Sequence, residues 1–189
     1  MTDGASRIVK YLDDYGILLC NENKYLPSLF SIGADWSSLV SMIDCQRLFY
    51  SKIYRKRVCY LSPSVYFSLK RYRQTTCDLP PYSLNIFELL TGVGPLCTRE
   101  IKEILMISTK TFTMHANLLM ERMLVTAIER NSDISASWSS FVWGTYSDWE
   151  KKHDENKHDY KQFDSEKEVA LLLGKLLSKK EVERLFSKI

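Results

Sequence analysis

Apolar positions along the chain change period several times, and each change marks an expected element. Ser6 is a candidate N-cap, Ile8, Leu12 and Tyr15 follow at helical spacing, and Gly16 suits a helix stop. Ile17-Leu18-Leu19-Cys20 then reads as an extended buried segment. Asp35 predicts the start of a second helix, with Trp36, Leu39, Val40 and Ile43 on its apolar face, running on into Leu48, Phe49 and Tyr50. Arg55-Lys56-Arg57 breaks that pattern, and Val58-Cys59-Tyr60-Leu61 predicts a strand. Ser62-Pro63 places a cap before a proline at the first helical position, and Val65, Leu69 and Tyr72 give that helix its buried stripe.

The breakers Pro80-Pro81 predict an interruption, and a linker is expected over residues 74–83. Beyond it, Ser83 opens a helix with Ile86, Phe87, Leu89 and Leu90 on its apolar side, ending at Gly92. Thr98 caps a short helix carrying Ile101, Ile104 and Leu105. Ser108 or Thr109 starts a third, in which Phe112, Ala116, Leu119 and Met123 form one stripe. Leu124–Glu129 shifts to strand chemistry, Asn131–Ser137 is a polar turn, and Trp138–Tyr146 is a second strand with Phe141 and Trp143 on one face. Three helices followed by a hairpin is the order of a winged helix. The mixed-charge run from Asp148 to Glu168 reads as solvated. Two capping boxes, Ser165 with Glu168 and Ser178 with Glu181, open terminal helices bearing Val169, Leu172, Leu173, Leu176 and Leu177, then Val182, Leu185 and Phe186.

The expected fold is therefore α+β, mainly α, with winged helix-turn-helix units and short β-hairpins. The expected division is an N-terminal α/β winged-helix-like unit (1–73), the linker (74–83), a winged helix (84–147) and a charged segment with C-terminal helices (148–189). No apolar run approaches the ~20 residues of a membrane span and the N-terminus is no secretory signal, so a cytoplasmic protein without a membrane partner is expected.

Net charge is +3, which hides a polarised chain. Residues 45–77 hold eight bases and no acid: Arg47, Lys52, Arg55, Lys56, Arg57, Lys70, Arg71 and Arg73. Aromatics interleave with them, among them Tyr50, Tyr54, Tyr60 and Tyr72. Cations neutralise phosphates and aromatic faces stack bases, so the block suits nucleic acid. The alternative is that the aromatics pack inward while the bases face water. In the winged helix the third helix normally enters the major groove. Its outward candidates are Lys110, Thr111, Thr113, Met114, Asn117 and Glu121, of which Thr111, Thr113 and Asn117 can contact bases or phosphates; only Lys110, His115 and Arg122 are positive, and Glu121 opposes them.

Enzyme chemistry finds little support. With seven glycines there is no phosphate-cradling loop, and no G-x-S-x-G or H-E-x-x-H pattern occurs. The five cysteines, Cys20, Cys45, Cys59, Cys77 and Cys97, form no C-x-x-C pair and read as reduced thiols. His153 and His158 stand i, i+5 apart among acids, a poor metal spacing, and neither a metal nor a cofactor is expected.

Leu26-Pro27-Ser28-Leu29-Phe30, Asp35-Trp36, Phe49–Ser62 and Gly94–Ile101 together resemble the short bacterial proteins of the AlkZ-related group, a winged-helix DNA glycosylase-like family. The likeness spans most of residues 8–145. It implies a DNA-facing winged-helix protein. That family's catalytic signature is Gln, an apolar residue, then Gln or Asp in the N-terminal half. Gln46 and Gln74 here are followed by Arg47-Leu48 and Thr75-Thr76, which do not fit. Gln162-Phe163-Asp164 matches only by letters, in the tail. No catalytic residue is carried over. The expected function is thus non-enzymatic DNA binding in repair or regulation, with the basic block on phosphates. The alternatives are a divergent glycosylase acting on alkylated bases, and a protein-interaction module or homo-oligomer formed through the C-terminal helices.

Overall fold

The computed structural model describes residues 2–131, 141–157 and 159–188. In chain order its elements are α1 (Asp3–Tyr15), β1 (Ile17–Leu19), α2 (Trp36–Asp44), β2 (Phe49–Tyr54), β3 (Arg57–Leu61), α3 (Pro63–Arg73), α4 (Pro81–Val93), β4 (Leu96–Cys97), α5 (Thr98–Leu105), α6 (Thr109–Glu121), β5 (Val125–Arg130), β6 (Phe141–Thr145), α7 (Tyr146–Asn156), α8 (Glu166–Gly174) and α9 (Lys179–Leu185). The fold is α+β and mainly α.

Two antiparallel three-stranded sheets share one strand order, β1-β3-β2 and β4-β6-β5. In each, a helix precedes the first strand and another precedes the hairpin. The second unit, α4-β4-α5-α6-β5-β6, has winged-helix order. The first repeats it, except that residues 20–35 stand where the second has α5. That segment is tied back by a Leu19–Ser28 bridge and by Asn23, whose Oδ1 accepts from the Leu26 N–H at 3.0 Å.

The two units interlock. α2 packs on β5, α6 packs on β2, and the edge strands β2 and β5 meet. Hydrogen bonds cross at the seam: Ser51 Oγ donates to the Met120 carbonyl at 3.0 Å, and Thr126 Oγ1 donates to the Tyr50 carbonyl at 2.9 Å. Leu39, Ile43, Tyr50, Leu119 and Trp143 belong to one continuous apolar core. The opposite face of the first sheet, Ile17, Phe49, Cys59 and Leu61, packs on α3 and the C-terminal helices.

That double covering explains the main departure from the expected elements. The second helix stops at Asp44, and Phe49 and Tyr50 belong to a strand. Phe49 stacks on Tyr66 at 4.2 Å on one face, while Tyr50 meets Trp143 edge-on at 5.5 Å on the other. A strand buried on both faces has no alternation to read. α1 begins earlier than expected, capped by Thr2, whose Oγ1 accepts from the Ala5 N–H at 3.3 Å. Gly4 then lies against α2, where a Cβ would sit 2.5 Å from Ser38 Oγ. Ser6 falls inside the helix.

The acidic run is not a solvated segment throughout. α7 buries Trp149 and His153, one turn apart, with their rings stacked at 4.7 Å. Trp149 Nε1 donates to the Leu48 carbonyl at 3.0 Å, and His153 Nδ1 lies 2.9 Å from the Gln46 carbonyl. Tyr146 is the first residue of α7 rather than the end of a strand, and β6 runs from Phe141 to Thr145. The expected strand start at Trp138, most of the polar turn at 131–137 and His158 lie outside the described residues. Ser165 precedes α8 without a side-chain cap bond, whereas the Ser178–Glu181 box forms in both directions. Val169, Leu172 and Leu173 dock on the chain's own body: Gly16 at φ +78° leaves room for Leu172, whose Cδ2 would stand 3.0 Å from a Cβ there.

Candidate nucleic-acid interface

The first unit's hairpin turns on two residues, Arg55 and Lys56, both left-handed at φ 50° and 57°. Two-residue hairpin loops of this hand favour Asn and Gly, and a residue with a Cβ there costs about 1–2 kcal/mol. Two cations hold the tip instead, and Arg57 follows them. Arg55 lies over the Tyr25 ring at 4.2 Å and its Nη2 contacts Glu181 Oε1 at 2.8 Å. The Lys56 side chain is 81% exposed, with Glu121 no nearer than 3.9 Å. Arg57 is exposed and stands 5.7 Å over Tyr25.

α6 buries Phe112, Ala116 and Leu119, the stripe its periodicity predicts. His115 is turned inward on Ser83, its Nδ1 2.9 Å from the hydroxyl. Lys110, Thr113 and Met114 are exposed. Thr111 is half-buried and shares a 2.9 Å hydrogen bond with Ser108. Asn117 faces the first unit, where its Oδ1 accepts from Lys52 Nζ at 2.7 Å. Burial holds the Lys52 amine below its usual value, with Glu121 opposing that shift. One edge of α6 therefore runs along the other unit's hairpin.

The basic block is split between two faces. Lys52, Arg55, Lys56 and Arg57 gather around the hairpin, beside α6. Lys70 and Arg71 sit elsewhere, engaged by the tail. Lys70 Nζ contacts Glu150 Oε1 at 2.9 Å, and the same oxygen accepts from Tyr66 Oη at 2.5 Å. Arg71 pairs with Glu166, which also accepts from Tyr72 Oη at 2.7 Å. Arg47 lines a small crevice with Asp13 and His153. Burial and Asp14 raise the Asp13 carboxyl above its usual value, and Lys161 and Arg47 partly offset them. Arg73 donates Nε to the Leu185 carbonyl at 3.0 Å and also reaches the Arg184 carbonyl, so it caps the C-terminal end of α9.

Two clefts flank the hairpin tip and share Lys56. One, of about 230 Å³, is lined by Lys52, Lys56 and Arg57, with no acid among the described residues. The other, of about 450 Å³, lies between the hairpin, the end of α6 and α9. It carries Arg55, Lys56, Arg73, Arg122, Lys180 and Arg184 against Glu121 and Glu181, over walls of Ile53, Tyr54, Leu118 and Leu185. Lys180 and Arg184 were not among the expected contacts. Their only signal in the sequence is the net +3 of residues 169–189, which does not say where that segment folds.

No family model, curated protein or solved structure matches the chain. Among the described residues no helix is long and apolar enough to cross a membrane, and no three His, Cys, Asp or Glu side chains gather as metal ligands.

Proposed function

We propose that the chain is a cytoplasmic, non-enzymatic DNA-binding protein of winged-helix construction, acting in repair or regulation, in keeping with its resemblance to the AlkZ-related group. The observation that carries this reading is the hairpin tip at Arg55–Arg57. It is cationic despite its backbone cost, has basic clefts on both sides, and adjoins the exposed edge of α6. Phosphate contacts come from Lys56, Arg57 and Lys110, and Thr113 is the side chain nearest a groove. Asn117 and Lys52 brace each other. Lys70 and Arg71 serve the fold, because each already has a carboxylate. Such a surface binds duplex DNA mainly through the backbone and with strong salt dependence.

Fluorescence anisotropy with random-sequence duplex tests this. Saturable binding at ~50 mM salt that weakens at ~200 mM is expected. No binding at the lower salt overturns it. An alkylated duplex incubated with the protein is expected to release no base, and release would overturn the non-enzymatic part.

A further inference from the structure

The larger cleft holds more positive charge than the fold uses. Of its six bases, Arg73 is spent on the end of α9 and Arg55 on Glu181. Arg122 is held in place: its Nη1 donates to the Thr75 carbonyl at 3.3 Å and also to that of Cys77, while its buried Nε has no hydrogen-bond partner among the described residues. Lys180 and Arg184 project from α9, both exposed. The acids in the lining, Glu121 and Glu181, leave a formal excess of four positive charges. Arg73 and Arg184 are close enough to repel: burial, then the Arg184 charge, lowers the Arg73 guanidinium below its usual value. Cations kept this close, with one guanidinium held in place among them, form an anion site.

The walls say which anion. Ile53, Tyr54, Leu118 and Leu185 give the cleft an apolar side, and a volume near 450 Å³ lies within the range of small-molecule sites. Inorganic phosphate would fill little of it. We propose that this cleft binds a nucleotide, with phosphoryl groups on Arg122, Lys180 and Arg184 and the nucleoside against Ile53 and Leu118. The same chemistry is offered by a free nucleoside di- or triphosphate and by the 5′-phosphorylated end of a DNA strand.

Isothermal titration at ~50 mM salt, without divalent metal, distinguishes these sources. The probes are ADP, ATP, inorganic phosphate, adenosine, and a trinucleotide with or without its 5′-phosphate. ADP and ATP are expected to bind at least tenfold more tightly than phosphate, with adenosine silent. A 5′-phosphorylated trinucleotide outcompeting ADP supports the site and assigns it to strand ends. Phosphate binding as well as ADP overturns the nucleoside part, and silence of every probe overturns the site. The variant K180A/R184A changes exposed side chains only and is expected to weaken ADP at least tenfold. Arg57→Ala, outside this cleft, is expected to leave ADP unchanged while weakening duplex. ADP binding without duplex binding, or the reverse, therefore separates this inference from the function proposed above. ADP affinity unchanged in K180A/R184A overturns the assignment to this cleft.

Discussion

Replacing Trp149 by Ala removes the largest fully buried side chain among the described residues and tests whether α7 belongs to the body of the protein. Its ring lies 4.8 Å from Tyr66, 5.3 Å from Phe49 and 4.7 Å from His153, so one truncation opens a void between α3, β2 and α7. Trp→Ala in a core costs about 3–5 kcal/mol, and the stranded Leu48 carbonyl adds about 1 kcal/mol. In a domain of this size each kcal/mol lowers the midpoint by roughly 2–4 °C, so a fall of about 10–20 °C is expected. Thermal unfolding followed by circular dichroism reads it. Trp149→Phe keeps most of the apolar volume but loses the indole donor, and is expected to fall only about 3–8 °C. If Trp149→Ala shifts the midpoint by less than about 3 °C, the tail does not share the core and the reasoning fails.

Gly16→Ala places a Cβ at φ +78°, 2.6 Å from Val65 Cγ2, and is expected to cost about 2–4 kcal/mol, read by urea denaturation. Glu181 tests the link between hairpin and α9. Arg55 and then Ser178 pull its carboxyl from 4.5 down to about 2. A carboxyl depressed on folding gives its full contribution above pH 4.5 and loses it as pH falls toward 2. Glu181→Gln should thus be less stable at pH 7 and show a flatter dependence of midpoint on pH between 4.5 and 2. The thiols separate by burial: exposed Cys45 and Cys77 should react rapidly with a thiol reagent in the native protein. Cys59 is buried, its thiol pushed up to about 12 by that burial, and should react only on unfolding.

The second unit was largely legible in the sequence because its signals are local. The stripe through Phe112, Ala116 and Leu119 lies on one helix, and the Ser108 cap and the following strand fall where periodicity changes. The first unit hid strand β2 because Phe49 and Tyr50 are both buried, on opposite faces. α7 was obscured by composition: eight of the residues 148–159 are charged, yet the inward pair Trp149 and His153 already had helical spacing. The candidate site was only half legible. The bases could be counted, but their partners could not, because Lys70 meets Glu150 and Arg55 meets Glu181 across 80 and 126 residues of chain. Sequence therefore gives the block one charge, while folding spends part of it internally and adds Lys180 and Arg184 from the far end.

The salt dependence of duplex binding tests the division of that block most directly. The slope of log affinity against log salt falls by about 0.9 for each phosphate contact removed. The variant K56A/R57A/K110A, on the hairpin and α6 edge, is expected to flatten the slope by about 2–3, whereas K70A/R71A is expected to leave it unchanged within about 0.5. Equal flattening by both variants, or flattening by K70A/R71A alone, would contradict the assignment of the DNA-facing surface to the hairpin and α6.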